Sequence, residues 1–185
     1  MKYFLAVLLF TQSAPPSRLL LNVDEDTSGP LGGQHSKFCL RVYNDGLIYY
    51  GTHYTDTLEV KDEKGNITQR DRIEYRKLKL NDWEVSELAD LAETPAFQKL
   101  ADSYPPPIDY FSTARIVVDS GKVRKEIRTR EFYVASVPEK AKYPSSLIAL
   151  MDWINETETN VEQKGERIDI LPKDLRCDLV FDSKS

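Results

Sequence analysis

Apolar and polar residues alternate from Phe38 to Thr52 around the break Asn44-Asp45-Gly46. Two runs rich in Val, Ile, Leu, Phe and Tyr flanking such a break predict a β-hairpin. A two-residue loop at Asp45-Gly46 sets Val42 opposite Tyr49 and Leu40 opposite Gly51. A three-residue loop instead sets Tyr43 opposite Leu47, Val42 opposite Ile48, Leu40 opposite Tyr50 and Phe38 opposite Thr52. Only the second register gathers Phe38, Leu40, Val42, Ile48 and Tyr50 on one face, so burial selects it. It also puts Gly46 at the left-handed position of a type I turn plus bulge, with a positive φ.

The same reading extends along the chain. Leu19-Leu20-Leu21-Asn22-Val23 is an edge or first strand, followed by loop-like Asp24-Glu25-Asp26 and the Gly-rich stretch 29–33. The second hairpin strand runs out near Thr55, and 61–66 reads as a turn. Arg72–Leu80 alternates, with Ile73 and Tyr75 on one face and Arg72, Glu74 and Arg76 on the other. Asn81 and Glu84 form a capping box for a helix whose face is Val85, Leu88, Ala89 and Ala92. Thr94-Pro95 opens a short second helical piece anchored by Phe97 and Leu100, which ends at Tyr104-Pro105. A second hairpin follows: Thr113–Val118, the turn Asp119-Ser120-Gly121, and a return strand Lys122–Ala135. Pro144 opens the last helix, where Leu147, Leu150, Met151 and Ile154 recur at i, i+3, i+4 and i+7. Beyond Val161 the chain is charged, with short strands expected at Ile168–Leu171 and Leu179–Phe181. The order predicts an α+β fold: an antiparallel sheet built from hairpins, with two main helices packed on one face.

Composition narrows the class. The chain has 185 residues, 41% hydrophobic and 30% charged, which suits one globular domain. Its formal net charge of -5 argues against nucleic acid or an anionic membrane as main partner. Met1-Lys2 followed by the apolar run Tyr3–Phe10 and small residues at Thr11, Ser13 and Ala14 reads as a signal peptide. That run is too short to span a bilayer, and no second long apolar run follows, so no transmembrane segment is expected. The expected organisation is a signal peptide at 1–14; linker, first strand and Gly-rich loop at 15–37; an α+β core at 38–160; and a C-terminal extension at 161–185. The product is expected to be exported, periplasmic or secreted. In that compartment Cys39 and Cys177 are either bridged, worth roughly 4–5 kcal/mol for so long a loop, or two separate thiols with Cys39 buried in the hairpin sheet.

Candidate chemistry is sparse. His35, Cys39 and His53 are the candidates for a metal site, since the odd-numbered hairpin face carries Cys39 and His53 and an extended strand would add His35. No standard ligand spacing is present, and neither a G-x-S-x-G elbow nor H-E-x-x-H occurs. The Gly-rich stretch lacks the G-K-[ST] ending of a phosphate loop. Lys122, Arg124, Arg128 and Arg130, with Glu126 among them, share one face of the return strand as a solvated side or as a face for an anionic partner. Asp24–Asp26 and the Glu156–Glu162 region read as loop or tail charges. Asn66-Ile67-Thr68 and Asn155-Glu156-Thr157 fit the glycosylation pattern, which matters only in a eukaryote. No cofactor is expected.

The run from Gly32-Gly33 through FCLRVYNDGLIYYG, then Leu80, Glu84 and Leu88, then Phe97, Leu100 and Tyr104-Pro105, resembles small exported bacterial domains without assigned function. Tyr143-Pro144, Leu147 and Leu150 fit the same outline, which covers about residues 31–155. More distantly the outline is similar to emfourin, an inhibitor of thermolysin-like metalloproteases. The expected function is therefore a non-catalytic binding or accessory module with a protein partner. A proteinaceous inhibitor entering an extracellular protease with the loop 29–37 comes second. A hydrolase, built on Cys39 and His53 or on a close carboxylate pair, comes third.

Overall fold

The computed structural model describes residues 17–28, 35–61, 67–104, 112–130, 143–172, 175 and 177; the side chains of 28, 35, 55–61, 67–71, 112 and 130 lie outside the description. The strands are β1 (Leu19–Ser28), β2 (His35–Tyr43), β3 (Leu47–Lys61), β4 (Ile67–Lys79), β5 (Ser103–Tyr104), β6 (Ser112–Asp119), β7 (Arg124–Arg130) and β8 (Glu166–Ile168). The helices are α1 (Asp82–Glu93), α2 (Pro95–Gln98) and α3 (Ser145–Lys164). The strands form one sheet of eight in the order β5-β7-β6-β1-β2-β3-β4-β8. All neighbours are antiparallel except the short β5–β7 pair. The fold is α+β, with strands outweighing helices.

The β2–β3 pair adopts the three-residue loop, with Val42 opposite Ile48, Leu40 opposite Tyr50 and Phe38 opposite Thr52. Gly46 has a φ of 85°. Its amide donates to the Tyr43 carbonyl at 2.8 Å, and its own carbonyl accepts from Leu80 N–H at 2.9 Å, which ties the turn to the start of α1. The capping box forms as expected: Asn81 accepts from Trp83 and Glu84, and Glu84 accepts from the Asn81 amide.

β1 is the first described strand, as one of the two expectations had it, and it lies inside the sheet between β6 and β2 rather than at an edge. Its residues 24–26, read from sequence as loop, pair on both sides. Cross-strand cations make strand conformation tolerable for an acidic run: Asp24 meets Arg41, and Asp26 meets Lys37 at 3.4 Å. The second hairpin strand continues to Lys61 rather than stopping near Thr55, and β4 begins at Ile67. The return strand β7 covers Arg124–Arg130, and residues 131–135 lie outside the description. Of the two terminal strands expected, the first appears as β8, shifted to Glu166–Ile168; 179–181 lie outside the description, as do 1–16. The last helix runs to Lys164, because Thr157 and Val161 prolong the buried stripe begun by Leu147, Leu150, Met151 and Ile154.

One sheet face forms the core. Leu21, Val23, Leu40, Val42, Ile48, Tyr50, Ile116, Val118 and Ile127 pack against Leu88 and Ala92 of α1, Phe97 of α2 and the α3 stripe. Burial of each such aliphatic side chain contributes about 1.5–3 kcal/mol. The opposite face carries Cys39, which is bridged to Cys177 with the two Cα atoms 5.7 Å apart. The bond ties Cys177, beyond β8 at the sheet edge, to β2 in its interior. Cys39, Arg41 and His53 are buried on that face. No described helix is long and apolar enough to cross a membrane.

Gly46→Ala would place a Cβ 2.8 Å from the Leu80 carbonyl oxygen at a left-handed φ. It is expected to lower stability by about 1–3 kcal/mol, read as a lower urea midpoint at unchanged slope. Cys177→Ser is expected to cost about 2–5 kcal/mol in the same assay. An unchanged midpoint would show that the tether does not constrain the chain.

Candidate functional site

The residues singled out from sequence do not converge. Cys39 is bonded to Cys177, so it supplies neither a thiolate ligand nor a nucleophile, and the metal and Cys–His readings built on it are withdrawn. His53 lies diagonal to Cys39 on the back of the sheet and is buried. His35 opens β2, with its side chain outside the description. Among the described residues no three His, Cys, Asp or Glu side chains group as a metal site. Of the loop 29–37 offered for a protease cleft, 29–34 lie outside the description. Asn66 does too, whereas Asn155 sits in the middle of α3 with Oδ1 buried, no place for a glycan on the folded chain.

The basic strand is held by acids. Arg115 forms a two-pronged pair with Glu126 at 2.9 and 3.0 Å, which keeps that carboxylate below its usual range. Glu126 also meets Arg128 at 3.5 Å, Asp119 meets Arg124 at 3.4 Å, and Glu93 meets Lys122 at 2.7 Å. Lys122 lies in the turn before β7, and the Arg130 side chain is outside the description. The stripe Arg41, Asp24, Arg115, Glu126, Arg128 thus alternates in sign across β2, β1, β6 and β7.

A different site emerges on the core face. A cavity of about 320 Å³ opens between the second half of α3, the end of β1, the start of β2 and residues 50–54 of β3. Phe38, Tyr50 and Tyr54 supply its rings, and Glu25, Glu158 and Glu162 its carboxylates. Front-face alternation places Glu25, Phe38, Tyr50 and Thr52 there, and helical spacing puts Glu158 and Glu162 one turn apart. The Tyr50 hydroxyl lies 2.7 Å from Glu158 and 3.0 Å from Glu162, and Tyr54 reaches Glu162 at 3.2 Å. Thr27 donates to Glu25 at 3.1 Å. Burial, reinforced by the Glu158 and Glu162 carboxylates, pushes the Tyr50 phenol far above its ordinary pKa. Burial also raises Tyr54.

Sequence reasoning placed Glu25 in a loop and Glu158 and Glu162 in a tail. Continuing the Leu147–Ile154 stripe by one and two further turns reaches Thr157 and Val161, and that extension would have set Glu158 and Glu162 beside the core. Nothing local marks Glu25, whose burial depends on β1 being central. No protein-family model matches the chain, and no curated protein matches it in sequence.

The raised Tyr50 pKa has a stability consequence. The unfolded phenol ionises near pH 10 while the folded one stays protonated, so the contribution is fully present below about pH 10 and is lost as pH rises above it. Tyr50→Phe is expected to flatten this alkaline loss in urea titrations between about pH 9 and 11. An identical slope for both proteins would show that Tyr50 does not carry it.

Proposed function

We propose that the protein is an exported, non-catalytic binding module whose ligand occupies the cavity between α3 and β1–β3. The observation that carries this reading is the polar lining of that cavity. Glu25, Tyr50 and Thr52 are buried on the core face of the sheet, and their side chains border an open space. A volume of about 320 Å³ lies within the range of small-molecule sites, about 300–1,000 Å³. Rings flanking a few convergent polar groups are the usual composition of such sites. Export is supported by the apolar run after Lys2 and by a disulfide that closes most of the chain.

Hydrogen exchange of the full chain against amines, sugars, dicarboxylates and short peptides tests the reading. At least one class is expected to slow exchange at residues 50–54 and 155–162. Failure of every class to protect these segments would overturn a binding role for the cavity.

A further inference from the structure

We infer that the free stretch of β7, Arg124–Glu126, takes an extended acidic segment of a partner protein as an added strand. The surface lies away from the cavity above, with β6 between β7 and the cavity-lining β1, and does not rest on that reading. The backbone comes first. β6 and β7 pair in one unbroken register, so successive β7 residues face β6 and outward in turn. Arg128 faces outward, because its N–H donates to the Asp102 carbonyl at 2.9 Å. Glu126 and Arg124, two and four residues before it, therefore face outward too. β5 covers only the far end of this edge, opposite Arg128 and Thr129. The outward backbone groups of Arg124 and Glu126 have no partner among the described residues. Beside them β5 gives way to a cavity of about 560 Å³, lined by Asp102, Ser103, Arg128 and the stretch itself. An edge with unpaired donors and acceptors is a template for a further strand.

Charge selects the strand. Arg124, Lys125 and Arg128 line this cavity against the carboxylates of Asp102 and Glu126. The side chains of Arg124 and Arg128 are 68% and 72% exposed, and they meet Asp119 and Glu126 at 3.4 and 3.5 Å. Exposed pairs of this kind hold about 0–1 kcal/mol, so a partner carboxylate can share the cation at little cost. Arg and Lys on an edge deter an apolar or basic strand, which would strip water from the charges and return nothing. A strand carrying Asp or Glu meets those charges instead. Alternation puts Lys125 on the other face from Arg124 and Arg128, so acids on either face of the incoming strand find a cation. A second copy of the chain fits less well, because it brings the same cations on its own β7 and a formal net charge of -5. Ser103 beside Arg128 also closes the edge there, so an incoming segment must end or turn away past Glu126. A flexible peptide segment does so, whereas the full β7 of a second copy would run into β5.

The test is NMR titration of the full chain, with affinities taken from backbone amide shifts. The probes are the capped peptide Thr-Val-Asp-Val-Asp-Val-Thr, its counterpart with Asn for Asp, and the Asp peptide N-methylated at two consecutive central amides. The Asp peptide is expected to bind at least tenfold more tightly than the Asn peptide and to shift residues 102–103 and 124–128. N-methylation is expected to cost at least tenfold, since it blocks both edges of the peptide and leaves its charge. Arg124→Gln/Arg128→Gln is expected to weaken the Asp peptide at least tenfold. Glu126→Pro is expected to abolish its binding, because an edge strand tolerates proline at an outward N–H yet loses that donor. Should the proline variant fail to fold, the N-methylated peptide tests the same strand pairing from the other side. Equal binding of the Asn peptide, or an affinity untouched by N-methylation, would overturn the inference. Shifts confined to residues 50–54 and 155–162 would place the peptide in the α3 cavity and overturn it as well. A concentration-dependent dimer in sedimentation, abolished by Glu126→Pro, would assign the edge to a second copy instead.

Discussion

Gly46 closes the β2–β3 hairpin at a φ of 85°, and the register it sets sends Tyr50 and Cys39 to opposite faces of the sheet. Strand side chains alternate, so a slip of one residue would exchange these faces. Leu40, Val42 and Ile48 would then meet solvent. Tyr50 would lose Glu158 and Glu162, and Cys39 would turn away from Cys177. Core packing, the acidic cavity and the disulfide thus all depend on one turn. The Leu80 amide on the Gly46 carbonyl extends the dependence to α1, whose first residues are positioned from the same turn. Arg18, at the entry to β1, spans both hairpin turns: its backbone pairs with Asn44 and its side chain with Asp119 and Ser120.

The two faces of the sheet handle charge differently. On the back, acids and bases alternate from strand to strand, and the exposed pairs contribute about 0–1 kcal/mol each. Their effect is to let Asp24 and Asp26 lie in a central strand. Arg41, buried on that face, donates to the Val23 carbonyl at 2.7 Å as well as pairing with Asp24, so its charge is met twice. At the cavity the carboxylates of α3 meet phenols: Tyr50 lies within hydrogen-bond reach of Glu158 and Glu162, and Tyr54 reaches Glu162.

Local pattern was enough for the hairpin register, the Asn81 capping box and the apolar stripe of α3, because each depends on neighbours within a few residues. It failed where distant partners decide. The run Asp24-Glu25-Asp26 looks like loop until Arg41 and Lys37 stand opposite it. The Cys39–Cys177 pairing, across a separation of 138 residues, has no local signature. Of the basic strand, Arg124 and Arg128 meet the hairpin's own Asp119 and Glu126, whereas Lys122 meets Glu93 of α1, which only the fold brings close. The site suffered most. Glu25, Tyr50, Glu158 and Glu162 come from three elements, and the sequence reading stopped two of them short of these residues.

The length of α3 connects stability to the site. Leu147 to Ile154 already pack the helix onto the sheet, yet it continues to Lys164, where Gly165 N–H returns to the Val161 carbonyl and Arg76 donates to the Gly165 carbonyl at 3.2 Å. Those last turns carry Thr157 and Val161 into the core. Glu158 and Glu162, each one position further on, are rotated by about 100° and so face the cavity beside Tyr50. The same two turns therefore anchor the helix and present its carboxylates. Phenylalanine in place of Tyr50 would satisfy the packing but leave both glutamates without the phenol. The buried hydroxyl thus joins the core packing of Tyr50 to the carboxylates of α3.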